Sequence, residues 1–155
     1  MSQYIEFYVG KSDTLIELNA FSRNSTIYQF FVEYDAIPYE KVRKISSGNI
    51  EYITKYINDE IKHLKKSKKK AEKELKRLHQ AAGDFHKTEE IHQTYENISN
   101  YIEEMDSEIK QCKAARHFTQ VLYDMVDSAK YLDNEVNYYV GIESGTNPEI
   151  EKDED

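Results

Sequence analysis

The chain is predicted to be an α+β protein in which a small three-stranded antiparallel sheet with a short helix carries a long antiparallel helical hairpin. Three observations predict this. First, residues 61 to 112 hold two long helical patterns on either side of a break at Gly83-Asp84. Counting outward from the break, Ala82, Leu78, Leu75, Ala71, Lys68, Leu64 and Ile61 recur at alternating steps of four and three. Ile91, Tyr95, Ile98, Ile102, Met105, Ile109 and Cys112 do the same in the other direction. Matching seams read in opposite directions from one turn are what a coiled-coil-like antiparallel pair requires. Second, the runs at the two ends of the chain alternate with the period of two that belongs to strands. Third, Gly and Pro number only 5 and 2, which argues against a loop-rich or all-β protein.

Taken in order, Tyr4 to Val9 reads as a strand with Ile5, Phe7 and Val9 on one face and Tyr4, Glu6 and Tyr8 on the other. A turn at Gly10-Lys11-Ser12-Asp13 leads into a second strand, Thr14 to Ala20, that makes an antiparallel hairpin with the first. Gly10-Lys11-Ser12 is not a phosphate loop. That motif needs glycine where Ile5 stands and a helix where this second strand follows. The polar run Ser22 to Thr26 is rich in N-cap types and precedes Ile27, Phe30, Phe31 and Tyr34, the stripe of a short amphipathic helix that covers one sheet face. Pro38 ends it. Asp35 to Ser46 is a connection, in which Val42, Arg43, Lys44 and Ile45 could pair briefly as an edge strand.

Ser46-Ser47-Gly48 caps the first long helix, about Asn49 to Ala81, roughly 50 Å long at 1.5 Å per residue. Its opening turns carry Ile50, Ile53 and Ile57, a stripe assigned to the globular base. The second long helix starts near Thr88, an N-cap followed by Glu89 and Glu90, which suit the positive end of the helix dipole. Beyond Cys112 the phase slips. Ala115, Phe118, Leu122, Met125 and Ala129 continue one face, and Arg116 and Thr119 fall where the old register would have placed apolar residues. The slip marks where the helix leaves its partner for the sheet. Val136 to Ile142 is a third strand, placed beside Tyr4 to Val9. One domain of 155 residues is therefore expected, with residues 1–57 and 115–144 as the base, 58–114 as the hairpin arm and 145–155 as an acidic, disordered, solvated tail.

The charged fraction is 32% and the formal net charge −8, so the molecule as a whole repels nucleic acid and anionic membrane. A lone Cys112 excludes an internal disulfide framework, and no run is apolar enough to span a bilayer. The reading is a reduced, cytoplasmic protein without a membrane partner. The front of the chain, IEFYVGKSDTLIELNAFSRNSTIYQFF, and its end, NYYVGIESG, resemble small uncharacterised proteins encoded by phages and prophages of AT-rich Gram-positive bacteria. The resemblance covers the chain ends and not the hairpin. It implies a class of role, in which a small protein in the host cytoplasm binds and modulates or inhibits a host or defence macromolecule, and it carries over no site residue.

Candidate functional residues come from charge and aromaticity. Between Lys62 and Arg77 lie nine cations and two Glu, whereas Glu89 to Glu108 holds seven carboxylates and no Lys or Arg. The register pairs Leu64 with Ile109, Lys68 with Met105 and Leu75 with Ile98, and leaves Lys65 opposite Asp106 as the one ionic flanking pair. At ~0.2 to 1 kcal/mol for an exposed pair, charge does not hold the hairpin; the apolar seam does, at ~1.5 to 3 kcal/mol for each fully buried Leu or Ile. Lys62, Lys66, Lys69, Lys70, Lys73, Lys76 and Arg77 are thus expected to point outward, as a solubilising charged surface or, as the functional alternative, a binding face. Another protein is the expected partner. Nucleic acid through the same helix is an alternative that the scarcity of Arg and the lack of interleaved aromatics disfavour. Oligomerisation through the arm, giving a homodimer, is the other. Tyr4, Tyr8 and Tyr139 are read as sharing an outer sheet face; core and edge packing explains most tyrosines of the base, and an exposed cluster there would be a second docking surface. His79 and His92 face each other near the tip, with Asp84 and His86 in the turn, and are read as exposed polar residues and not as metal ligands. No catalytic constellation, cofactor motif or metal-ligand spacing is found, so an enzyme is not expected.

Overall fold

The computed structural model describes residues 3–11, 13–82, 89–131 and 136–151. Its elements are β1 (Tyr4–Lys11), β2 (Thr14–Ser22), α1 (Thr26–Tyr34), β3 (Arg43–Lys44), α2 (Ser47–Ala82), α3 (Glu89–Ala129) and β4 (Asn137–Ile142). They fall into two compact units, Met1–Ile57 with Ala115–Asp155, and Asn58–Ala114.

The first unit is built on an antiparallel sheet of order β2-β1-β4-β3. The expected pairing of the first and last strands is present, with Ile5 opposite Ile142 and Phe7 opposite Val140. A fourth strand corrects the count of three. Arg43 and Lys44 pair with Val140 and Tyr139, because β4 would otherwise leave its second edge open. Between Phe7 and Tyr8 the β2 partner jumps from Asn19 to Glu17, so Leu18 is the extra residue of a bulge.

One sheet face is packed by helices. Phe7 is 1% exposed, and its ring meets Phe21, Phe31 and Phe118 edge-on at centroid distances of 6.1, 5.1 and 5.0 Å. Helix α1 starts where the polar run predicts, with the Tyr28 amide donating to Ser25 Oγ at 3.2 Å. At α2 the cap is Ser46, whose Oγ accepts from the Asn49 amide at 3.2 Å while Asn49 Oδ1 lies 2.5 Å from the same hydroxyl. Ile50, Ile53 and Ile57 are each 0% exposed, as their stripe requires.

The phase of α3 changes after Cys112, but the helix does not leave α2 as expected, since Thr119 lies 2.9 Å from Thr54 and Lys130, just past the helix, donates to Ser47 Oγ at 2.6 Å; the expected face is corrected as well. Buried positions run Met105, Ile109, Cys112, Ala115, Thr119, Leu122 and Val126, so Thr119 is in the core and Phe118 and Met125 flank it. Thr119 is 0% exposed because its hydroxyl is satisfied. It donates to the Arg116 carbonyl at 2.9 Å and lies 2.9 Å from the Thr54 hydroxyl of α2.

The opposite sheet face is covered too. Tyr8, Leu15, Val42 and Tyr139 form a second small core, with Ile150 packed against it. The covering comes from the segment read as a solvated tail, which is corrected through Glu151. Val42 donates to the Glu149 carbonyl at 2.9 Å and accepts from the Glu151 amide at 2.7 Å. Ile150 supplies the apolar side chain that makes this return worthwhile; residues 152–155 lie outside the described ones. Gly141 sits where the chain crosses Lys41 so closely that a Cβ would run into the Lys41 carbonyl oxygen.

In the second unit α2 and α3 run antiparallel. Lys68 Nζ is 2.5 Å from Asp106, and nearer the end of α2 and the start of α3 the His79 ring lies 6.5 Å from that of Tyr95. Ile61, Leu64, Met105, Ile109 and Cys112 are all 8% exposed or less. Gly83, Asp84, His86 and Thr88, to which the turn and the second cap were assigned, lie outside the described residues.

Candidate functional site

The lysine face is set by the seam that lies behind it. Once Ile61 and Leu64 are buried against α3, the positions on the far side of α2, one or two residues beyond each seam residue, face outward. Lys62, Lys66, Lys69, Lys70, Lys73 and Lys76 are all exposed. Among the described residues none of these six is in an ion pair. Arg77 differs. Its guanidinium is 2.5 Å from Glu74 on its own helix, which neutralises the end of the row.

An ion pair between α2 and α3 corrects the expected flanking pair by a single side chain. Asp106 takes Lys68, not Lys65, and Lys68 also lies 3.6 Å from Glu72. Lys68 occupies a seam position, so its stem runs out between the helices and delivers the ammonium to the nearest flanking carboxylate. The hydrogen bond to Asp106 holds its pKa above the usual lysine value, ahead of the opposing effect of burial. The carboxylates Glu96, Glu103, Glu104 and Glu108 of α3 are exposed and form no ion pair among the described residues. The unit therefore keeps a basic and an acidic surface that do not cancel by contact.

The tyrosine surface is overturned in two of its three members. Tyr8 and Tyr139 are 2% and 5% exposed, directly opposite each other across β1 and β4 and covered by the returning chain. Burial and the neighbouring Glu6 hold the Tyr8 hydroxyl far above the usual tyrosine pKa, so it stays protonated and donates to the Gly145 carbonyl at 2.7 Å. Tyr4 alone is exposed, at 42%. It borders an open hollow of about 370 Å³ with Glu6, Glu17, Ala20, Glu143 and Gly145. Its carboxylates are occupied structurally. Glu6 accepts from the Ser144 amide at 2.7 Å, Glu143 accepts from the Tyr4 amide at 3.2 Å, and Glu17 is held above the ordinary carboxylate range by its hydrogen bond to Glu6. Among the described residues no group of three His, Cys, Asp or Glu is placed to hold a metal ion. His79 lies beside Tyr95, while Asp84 and His86 are outside the described residues.

Two surfaces escaped the sequence reading. An aromatic ladder joins α1 to α2. Phe30 stacks on Tyr34 at 6.0 Å, Tyr34 on Tyr56 at 3.9 Å, and Tyr56 meets Tyr52 edge-on at 4.9 Å, with Tyr52 still 49% exposed. Its signal was available, since Phe30/Tyr34 and Tyr52/Tyr56 are both i,i+4 aromatic pairs on helices. The other surface is the free edge of β2, where Ile16 and Leu18 are 63% and 40% exposed. The Leu18 bulge turns Glu17 and Asn19 to opposite faces and so interrupts the straight ladder that an added strand would need.

Neither a family model, nor a curated protein, nor a solved structure matches the chain. Among the described residues no helix is long and apolar enough to cross a membrane.

Proposed function

We propose that the chain is a non-enzymatic interaction protein of the small accessory type that phages encode, and that it binds and modulates a host or defence macromolecule through the lysine face of α2. One observation carries the reading: Lys62, Lys66, Lys69, Lys70, Lys73 and Lys76 are exposed on one helix without an ion-pair partner among the described residues, in a protein whose net charge is −8. A basic surface of this kind on an acidic protein attracts an acidic partner locally while the rest of the molecule discourages unselective contact. With Tyr8 and Tyr139 buried, the hairpin unit is the stronger candidate for contact.

The test compares the full-length chain with a variant carrying Lys66→Glu, Lys69→Glu, Lys70→Glu and Lys73→Glu as baits in an extract of the natural host. The expected result is a defined partner retained by the native chain, released by salt and lost to the variant. A partner that binds both baits equally would move function away from this helix. Retention of nucleic acid in place of protein, sensitive to nuclease, would favour the nucleic-acid alternative.

A further inference from the structure

The lysine face has a spacing as well as a charge. Lys62, Lys66, Lys69, Lys73 and Lys76 follow one another at steps of four, three, four and three. This alternation keeps side chains in line along one helix, and relative to the seam at Ile61, Leu64, Lys68, Ala71 and Leu75 it falls on two of the three outward positions of the heptad. All five are exposed. From Lys62 to Lys76 the row is roughly 21 Å long, with a cation about every 5 Å. The acidic residues of the same stretch stand off the row and are already engaged, Glu72 by Lys68 and Glu74 by Arg77.

Resting on the reading of this face as a docking surface, we infer that its occupant is an acidic α-helix of a partner protein, carrying Glu or Asp at the same alternation of four and three. A helix laid along α2 has the same rise per turn, so successive carboxylates meet successive lysines. The phosphate tracks of a duplex wind around their axis, and a straight row follows them for only a few phosphates.

The neighbouring helix narrows the choice further. Packed helices lie ~8–10 Å apart, about one Debye length at physiological ionic strength, so the exposed Glu96, Glu103, Glu104 and Glu108 of α3 repel a polyanion broad enough to overhang α2. A helix, about 10 Å across, fits on the outward side of α2 alone. The row also lacks what nucleic acid needs beyond charge: no aromatic stands among the lysines, and the only arginine, Arg77, is tied to Glu74.

The experiment titrates the full-length protein, by fluorescence anisotropy, against four labelled probes. These are a helical peptide with Glu at the matching alternation, a helical peptide of equal composition with its Glu scattered around the axis, an unstructured polyglutamate and a short DNA duplex. The matched peptide is expected to bind at least about tenfold more tightly than the scattered one, and to weaken by about tenfold or more between about 0.05 and 0.2 M salt. The triple variant Lys66→Glu, Lys69→Glu, Lys73→Glu, shown by circular dichroism to be as helical as the native chain, is expected to lose this binding. Equal affinity for the matched and scattered peptides overturns the inference, because charge without spacing would suffice. Tighter binding of the duplex, lost in the same variant, overturns it too but leaves the lysine face as a docking surface. Failure of every probe, together with a host partner indifferent to the variant, overturns both.

Discussion

Lys68 is the residue at which packing and charge compete. It holds a seam position between Leu64 and Ala71, yet its ammonium finds Asp106 at 2.5 Å and leaves the helices able to close. If the seam, not the ion pair, holds the helices, Lys68→Met should keep or raise the melting temperature. Leu64→Ala, at a site 4% exposed, should cost about 2–5 kcal/mol. Denaturant titration of both variants checks this, and a large loss from Lys68→Met alone would count against it. Cys112 makes a second residue-level prediction. Burial, with Glu60 and Glu108 nearby, pushes its thiol from 9.0 up to about 11. A folded-state pKa raised above the unfolded one gives a stability contribution that is fully present below pH 9 and disappears as pH climbs toward 11. Cys112→Ala should therefore flatten the fall in stability across that window, as followed by unfolding midpoints at stepped pH. The folded thiol should also resist alkylation at neutral pH, since the thiolate is the reactive form.

Elements show which parts of the fold periodicity can report. Strands β1 and β4, the stripe Ile50, Ile53 and Ile57, and the slip after Cys112 were all legible because each repeats a spacing that only one kind of element buries. Thr119 was misplaced because a hydroxyl looks polar in a sequence, while in the fold Thr54 and the Arg116 carbonyl satisfy it. The strap over the second sheet face was missed for a different reason. Gly145 to Glu151 carries a single apolar residue, Ile150, and its attachment runs through backbone groups of Val42 and the Tyr8 hydroxyl, which no side-chain pattern announces. That buried Tyr8 and Tyr139, and with them most of the tyrosine surface expected for docking. Two substitutions test the strap. Tyr8→Phe removes the hydrogen bond to Gly145 and should cost about 0.5–1.5 kcal/mol, with faster amide exchange at Glu151. Gly141→Ala should cost more, on the order of 1–3 kcal/mol from overpacking, because its Cβ would meet backbone at Lys41. Unchanged exchange at Glu151 in both variants would show that the strap is held by other contacts.

At the scale of the whole molecule, the lysine face was legible in the sequence as composition but not as availability, which depends on where the carboxylates of α3 come to rest. They rest apart from it: Asp106 pairs with Lys68, and among the described residues Lys62, Lys66, Lys69, Lys70, Lys73 and Lys76 form no ion pair and keep their charge for another molecule. A net charge of −8 makes such a local patch selective. The measurement that bears most directly on this is thermal unfolding, by circular dichroism, of the Lys66→Glu, Lys69→Glu, Lys70→Glu, Lys73→Glu variant beside the native chain at about 0.05 and 0.5 M salt. Equal helicity, melting temperatures within a few degrees of each other and little response to salt are expected. A variant that loses helix, or a native chain whose melting point falls steeply as salt rises, would mean that these lysines are already spent on holding α2 to α3.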